Sequence, residues 1–194
     1  MPRSIYKSVT LPGVDIVDVY VDQDKVEQAE RLIKAMPSIE REAYNRACIN
    51  FGNMLARYIR NCIKTSTPPK GVSWQPLSEN YIKNYDVKGF WYLSGQMLRS
   101  IKLRYYQNGY YVGPNPGEKA ADPKNRRGKV RKSKLTLIQL ANLLERGTFS
   151  GAGVVFNELP PRPLFRPSFN AVGGTDRLKK YLVSNLRREI NKYK

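Results

Sequence analysis

Eight basic side chains crowd residues 119–134: Lys119, Lys124, Arg126, Arg127, Lys129, Arg131, Lys132 and Lys134, against one acid, Asp122. No apolar period runs through the stretch, so the chemistry it offers is charge, suited to phosphates or to a carboxylate-rich surface. It reads as a long loop or hairpin tip with three open uses: lining a channel that carries DNA, gripping an acidic partner, or lying solvated. A second cluster is "ELPPRPLFRPSF", residues 158–169, with four prolines, two arginines and two phenylalanines in twelve positions. Proline cannot donate a backbone hydrogen bond, and it pushes its predecessor into an extended conformation, so 159–167 is predicted as a stiff, polyproline-like strap. A stiff strap loses little entropy on docking. Leu164, Phe165 and Phe169 then fill apolar pockets, while Arg162 and Arg166 reach outward to carboxylates or carbonyls. The pockets belong either to the chain itself or to a neighbouring copy. The corner Glu145-x-Gly147-Thr148 reads either as a helix C-terminus and turn and nothing more, or as a tie in which Glu145 pairs with Arg162 or Arg166. A carboxylate at the C-terminus of its own helix gains nothing from the helix dipole.

The chain holds no histidine. That removes Ser-His-Asp and Cys-His catalysis, histidine-bearing metal sites and the commonest acid–base group. No spaced carboxylate cluster replaces them. The expectation is a protein without catalytic activity, cofactor or metal. Cys48 and Cys62 fall on one predicted helix, about 21 Å apart at 1.5 Å per residue, which is beyond disulfide reach. They read as buried thiols of a chain made in a reducing compartment.

The net charge is +18, unevenly spread: residues 1–30 carry three basic and six acidic side chains, and the remainder holds all of the excess. An acidic head and a basic body invite attraction between neighbouring copies. No apolar run is long enough to span a bilayer, and "MPRSIYKSVTLPG" lacks the apolar stretch of a signal peptide, so no membrane contact is expected.

The elements that must position these groups follow from periodicity. Residues 15–22 read as a strand, and 24–35 as a short helix. Pro37 is predicted to break the pattern and open a new helix over 37–63. The apolar stripe of that helix is Ile39, Ala43, Ala47, Phe51, Met54, Leu55, Tyr58 and Cys62. Ser78 is placed to cap a short helix, and 89–101 to form an aromatic cluster leading into a short amphipathic turn. Asn108-Gly109 predicts a hairpin, with Tyr106 opposite Tyr111 and Tyr105 opposite Val112. One face is then Ile101, Leu103, Tyr105 and Val112, turned to the core. The other is Lys102, Arg104, Tyr106 and Tyr111, basic and aromatic, more readily explained by cross-strand tyrosine packing than by base stacking. Thr136 caps a helix ending at Gly147. Residues 154–156 read as a strand and 168–192 as a final helix with Leu178, Tyr181, Leu182, Leu186 and Ile190 as its stripe. Together these make an α+β fold: a long N-terminal helix and a C-terminal helix packed on a small antiparallel sheet, with a protruding basic loop. Residues 1–36 form an extension and 37–194 the domain proper.

Four segments stand in order: "WQPLS" (74–78), "LSGQMLRSI" (93–101), "LANLLERGT" (140–148) and "LPPRPLFRPSF" (159–169). In that order they resemble the tail-completion, or virion-morphogenesis, proteins of long-tailed bacteriophages. The matching positions are Trp74, Pro76, Leu77 and Ser78; Ser94, Gly95, Met97, Ser100 and Ile101; Glu145, Gly147 and Thr148; and Pro161, Arg162, Pro163 and Phe165. The resemblance spans roughly 37–190; residues 1–36 have no counterpart, and the basic insert is longer than usual. It implies a non-enzymatic head–tail joining protein that forms a homo-oligomeric ring, most often hexameric, in the virion neck. Such a ring is assembled in the host cytoplasm. It sits between the head–tail connector or adaptor and the tail terminator or tail tube protein, with phage genomic DNA passing transiently through its channel. Six copies of the basic segment would bring about 48 charges, enough to trap DNA rather than pass it, so only part of the segment is expected to meet DNA. The alternative is a sequence-nonspecific nucleic-acid-binding protein of ribosomal or nucleoid type.

Overall fold

The computed structural model describes residues 4–9, 17–77, 79, 83, 89, 91, 95–106, 109–120, 135–147 and 160–193. The elements run β1 (Ser4–Val9), β2 (Val17–Asp22), α1 (Gln23–Thr65), α2 (Gln96–Ser100), β3 (Lys102–Tyr106), β4 (Gly109–Gly113), α3 (Leu137–Arg146), α4 (Phe165–Ala171) and α5 (Gly174–Ile190), with a 3₁₀ turn at Asn191–Tyr193. The class is α+β, mostly helical, with small two-stranded antiparallel sheets. The chain divides into two compact units, Met1–Ala47 with Lys180–Lys194, and Cys48–Lys179.

Helix α1 runs 43 residues, about 65 Å at the usual rise, with Pro37 inside it. The expected break at Pro37 does not occur. Proline removes one i→i−4 bond and crowds the turn before it. Beside it, the Ser38 hydroxyl donates to the Ala35 carbonyl at 2.8 Å, giving that turn another partner. Of the expected stripe, Ile39, Ala43, Ala47, Phe51, Leu55 and Cys62 are buried, and Met54 and Tyr58 are half-buried. Both cysteines lie on α1, buried and free. Burial pushes the Cys62 thiol above its usual range, with a Tyr58 hydrogen bond pulling the other way.

In the first unit, β1 pairs antiparallel with β2, Ser4 opposite Asp22 through Val9 opposite Val17. The sequence predicts only β2. Glu189, 3% exposed, carries the unit's buried charge. It accepts from Arg46 Nη1 at 2.6 Å and from the Lys192 ammonium. The Lys192 hydrogen bond, then the Arg46 charge, hold its carboxyl below the usual 4.5 against the opposing effect of burial. A depressed carboxylate stabilises the fold above its unfolded pKa, and that contribution is lost as pH falls through the folded value. Acid unfolding of the wild type should therefore steepen below about pH 4.5, and Glu189→Gln should flatten that limb; parallel melting curves from pH 6 to pH 3 check it. Equal slopes for both proteins would refute it.

In the second unit, β3 pairs with β4: Leu103 opposite Val112, Arg104 opposite Tyr111, Tyr105 opposite Tyr110 and Tyr106 opposite Gly109. This corrects the expected register by two residues. Side chains alternate with period two, so an even slip leaves each on its expected face. Leu103 does turn inward: a Cβ added at Gly52 of α1 would meet its Cδ1 at 2.5 Å. Tyr105 does not. It is 67% exposed and lies edge-on to Tyr110, with ring centroids 5.5 Å apart. The tyrosine packing is thus Tyr105 with Tyr110; the Tyr106 side chain is outside the described residues. The core of this unit gathers Phe51, Leu55, Ile59 and Ile63 of α1 with Trp91, Ile101, Leu137, Leu144 and Leu164, all buried.

The single final helix expected over 168–192 is two helices, α4 and α5. Gly173, at φ 99°, and Gly174, at φ 51°, turn the chain through the left-handed region that glycine adopts without strain. Helix α4 also begins earlier than expected. Phe165, Arg166 and Phe169 are helical, and Pro167 sits in the first turn, where its missing N–H leaves nothing unpaired. The extended strap is therefore only residues 160–164.

Candidate functional site

The site is built on that strap. Helix α3 starts from a reciprocal capping box: Gln139 N–H donates to the Thr136 hydroxyl, and Thr136 N–H to the Gln139 side chain. The helix buries Leu137, Ala141 and Leu144 on one face, and ends at Gly147 with φ 74° and ψ 174°, a conformation open essentially to glycine alone. This brings Leu144 and Glu145 against the strap. The Leu144 carbonyl accepts from Arg162 N–H at 2.8 Å. Glu145 Oε2 accepts from the N–H groups of Leu164 at 2.7 Å and Phe165 at 3.2 Å. From the other direction, Trp74 Nε1 donates to the Pro163 carbonyl at 3.0 Å.

Four consecutive residues, 162–165, where the strap enters α4, are thus each fixed through a backbone group. Prolines at 160, 161 and 163 offer no N–H, so the donors left from 160 to 165 are those of 162, 164 and 165. All three are paired, as buried backbone groups require. Leu164 caps α4 without a side-chain hydrogen bond of its own, and Glu145 supplies the missing acceptor. Here the carboxylate does gain from a helix dipole, that of α4 rather than its own.

This arrangement corrects two expectations. Glu145 meets backbone N–H groups of the strap instead of an arginine head group. Arg162 does not reach outward; it is 2% exposed, and its backbone N–H ties that residue to α3. Arg166 is exposed as expected. Leu164 is fully buried within its own chain, Phe165 lies edge-on to Trp91 at 5.8 Å, and Phe169 edge-on to Phe51 at 5.4 Å. The outer side of the strap borders a cavity of about 480 Å³ whose lining includes Lys70, Val72, Glu145, Pro163 and Arg166.

Of the remaining predicted residues, Trp74 is buried, Leu77 half-buried and Pro76 exposed, and Gly95 is buried at the N-cap of α2. Lys119 is exposed and forms an antiparallel bridge with Thr136. Lys124, Arg126, Arg127, Lys129, Arg131, Lys132 and Lys134 lie outside the described residues, as do Ser78, Thr148 and the strand expected at 154–156. Sequence reasoning missed Trp91 as the ring that receives Phe165; its aromatic neighbours marked a cluster, but nothing in the spacing marked its partner. Among the described residues, no group of three or more Cys, Asp or Glu side chains is placed to hold a metal ion, and no helix is long and apolar enough to cross a membrane.

The Trp74 hydrogen bond gives a direct test. Trp74→Phe keeps most of the ring and removes the donor, leaving the Pro163 carbonyl without this partner. It should lower stability by about 1 kcal/mol in urea denaturation, with unchanged m-value. A fall below a few tenths of that would mean the hydrogen bond does not hold the strap.

Compared with family models, curated proteins and solved structures, the chain matches none.

Proposed function

We propose that this chain is a structural virion protein of a long-tailed bacteriophage: a neck component whose copies form a ring joining the head connector to the tail, with DNA passing through. The observation that carries this reading is the meeting of three of the four motif segments. Trp74, the Leu144–Glu145 pair and the Pro161–Phe165 segment are far apart in sequence, yet they converge on one stretch of backbone. Had these segments been scattered over the fold, their shared order would be coincidence. Converging, they form one scaffold that presents α4 and the exposed Arg166 in a set geometry. The fourth segment forms α2 and leads into β3, supplying the wall of a basic groove. The work of such a protein is shape and charge complementarity, not bond chemistry.

The test is electron microscopy of lysates from phage lacking this gene. Full heads and finished but separate tails are expected. Normal joined particles would overturn the proposal, as would failure to package DNA at all.

A further inference from the structure

We infer that the groove beside α2 and β3 binds the phosphodiester backbone of duplex DNA. It encloses about 500 Å³, and its walls carry Arg99 and Lys102, both exposed, and the half-buried Arg104. Among the described residues none of the three forms an ion pair. The one carboxylate among the described lining residues, Glu118, accepts at Oε1 from Gln96 Nε2, also of the groove wall, at 2.8 Å, and its charge leaves the described lining with a net of +2. Three cations against one carboxylate leave the groove in positive excess, which favours an arriving polyanion.

Arg104 is held ready for such a ligand. Its Nη1 donates to the Gly113 carbonyl at 2.8 Å and its Nη2 to the Ser100 carbonyl at 3.0 Å. Carbonyls fix the orientation of a guanidinium without neutralising its charge. The cation is therefore positioned before any ligand arrives, so little side-chain entropy is lost on binding.

The lining separates a phosphodiester from an acidic protein segment. Every described residue of the groove wall is polar or charged, from Gln96 through Arg99 to Asn115 and Glu118. A protein partner usually anchors through a buried apolar or aromatic side chain, and the described residues of this groove offer no apolar socket for one. A nucleic-acid backbone needs only charge and hydrogen-bond donors.

The described residues on either side of 121–134 are joined near this groove. Ala120 N–H donates to the Leu135 carbonyl at 2.9 Å, and Leu137 N–H to the Glu118 carbonyl at 2.8 Å. These two bonds place the described residues Ala120 and Leu135 side by side, near Glu118 of the groove wall. Seven of the eight cations noted in the sequence lie within 121–134, between those two residues along the chain.

The inference rests on the neck reading only in taking duplex DNA as the polyanion. It is tested on the purified full chain, whereas the neck reading is tested on particles, so the two can fail separately. Fluorescence anisotropy of a labelled duplex is measured from 50 to 300 mM NaCl for three proteins: wild type, the double variant Arg99→Gln/Lys102→Gln, and the control Arg187→Gln/Arg188→Gln. The control removes the same charge from exposed positions on α5. The groove variant should reduce the slope of log K against log[salt] by about 1.8, since each phosphate that is no longer neutralised lowers it by about 0.9, and the control should not. Arg104 is left intact because its guanidinium ties two carbonyls together.

Equal slopes for the two variants would overturn the inference. So would the absence of DNA binding by the wild type, or binding of polyglutamate with the same sensitivity to the groove variant. Displacement of the duplex by millimolar inorganic phosphate at constant ionic strength would reduce the groove to a single-anion site and would equally overturn it.

Discussion

Leu164→Ala should lower the stability of the 48–179 unit by about 3–4 kcal/mol, the middle of the range for a leucine truncated in a packed interior. Leu164 is fully buried within a single chain, at the point where the strap enters α4. Truncation leaves a cavity lined by groups that cannot close over it, since the backbone on both sides is fixed to Trp74, Leu144 and Glu145. On a chain of this length the melting temperature should fall by roughly 10 °C in calorimetry. The measurement also bears on whose pocket the strap fills. A fall below about 1 kcal/mol in the isolated protein would mean that the side chain finds its pocket in a neighbouring copy.

Glu145→Ala should lower stability by about 2 kcal/mol, reduced from the upper range for charged hydrogen bonds because the residue is only half-buried. The change leaves the N–H groups of Leu164 and Phe165 without their carboxylate at the start of α4. Glu145→Gln keeps an acceptor oxygen and loses the charge, so about half of that effect is expected. The exchange Glu145→Arg with Arg162→Glu separates this account from a side-chain ion pair. A salt bridge tolerates reversal; a carboxylate bound to backbone N–H groups does not, and an arginine offers those groups no acceptor. Recovery of the wild-type melting temperature in the exchanged protein would show that the backbone hydrogen bonds are not what matters.

Both predictions concern partners that lie far apart along the chain, and such partners mark the limit of what the sequence made legible. Local rules carried well where one interaction along the chain decided the outcome. The Thr136–Gln139 capping box and Gly147 delimit α3 because caps satisfy donors and acceptors within a few residues. The stripe from Ile39 to Cys62 fell on the buried face of α1 because helical period alone sets it. Leu103 kept its inward face despite a wrong register because the error was even.

Local rules failed where a distant partner decided. Tyr105 has the right parity for the core and is exposed all the same. Arg99, Lys102 and Arg104 lie within six residues, yet the helical and extended periods assign them to separate elements, and only the turn at Ile101 brings them to one groove.

By itself, then, the sequence determined the α+β class, the charge, the stiffness of the proline segment and the shortage of donors along it, since each follows from side-chain type and backbone chemistry alone. The tertiary structure decided which groups those few donors meet, and that Arg162 and Leu164 turn inward while Arg166 stays out. Hydrogen-bond partners separated by 19 and 89 residues are set by how helices and loops pack, and no spacing rule along the chain encodes them.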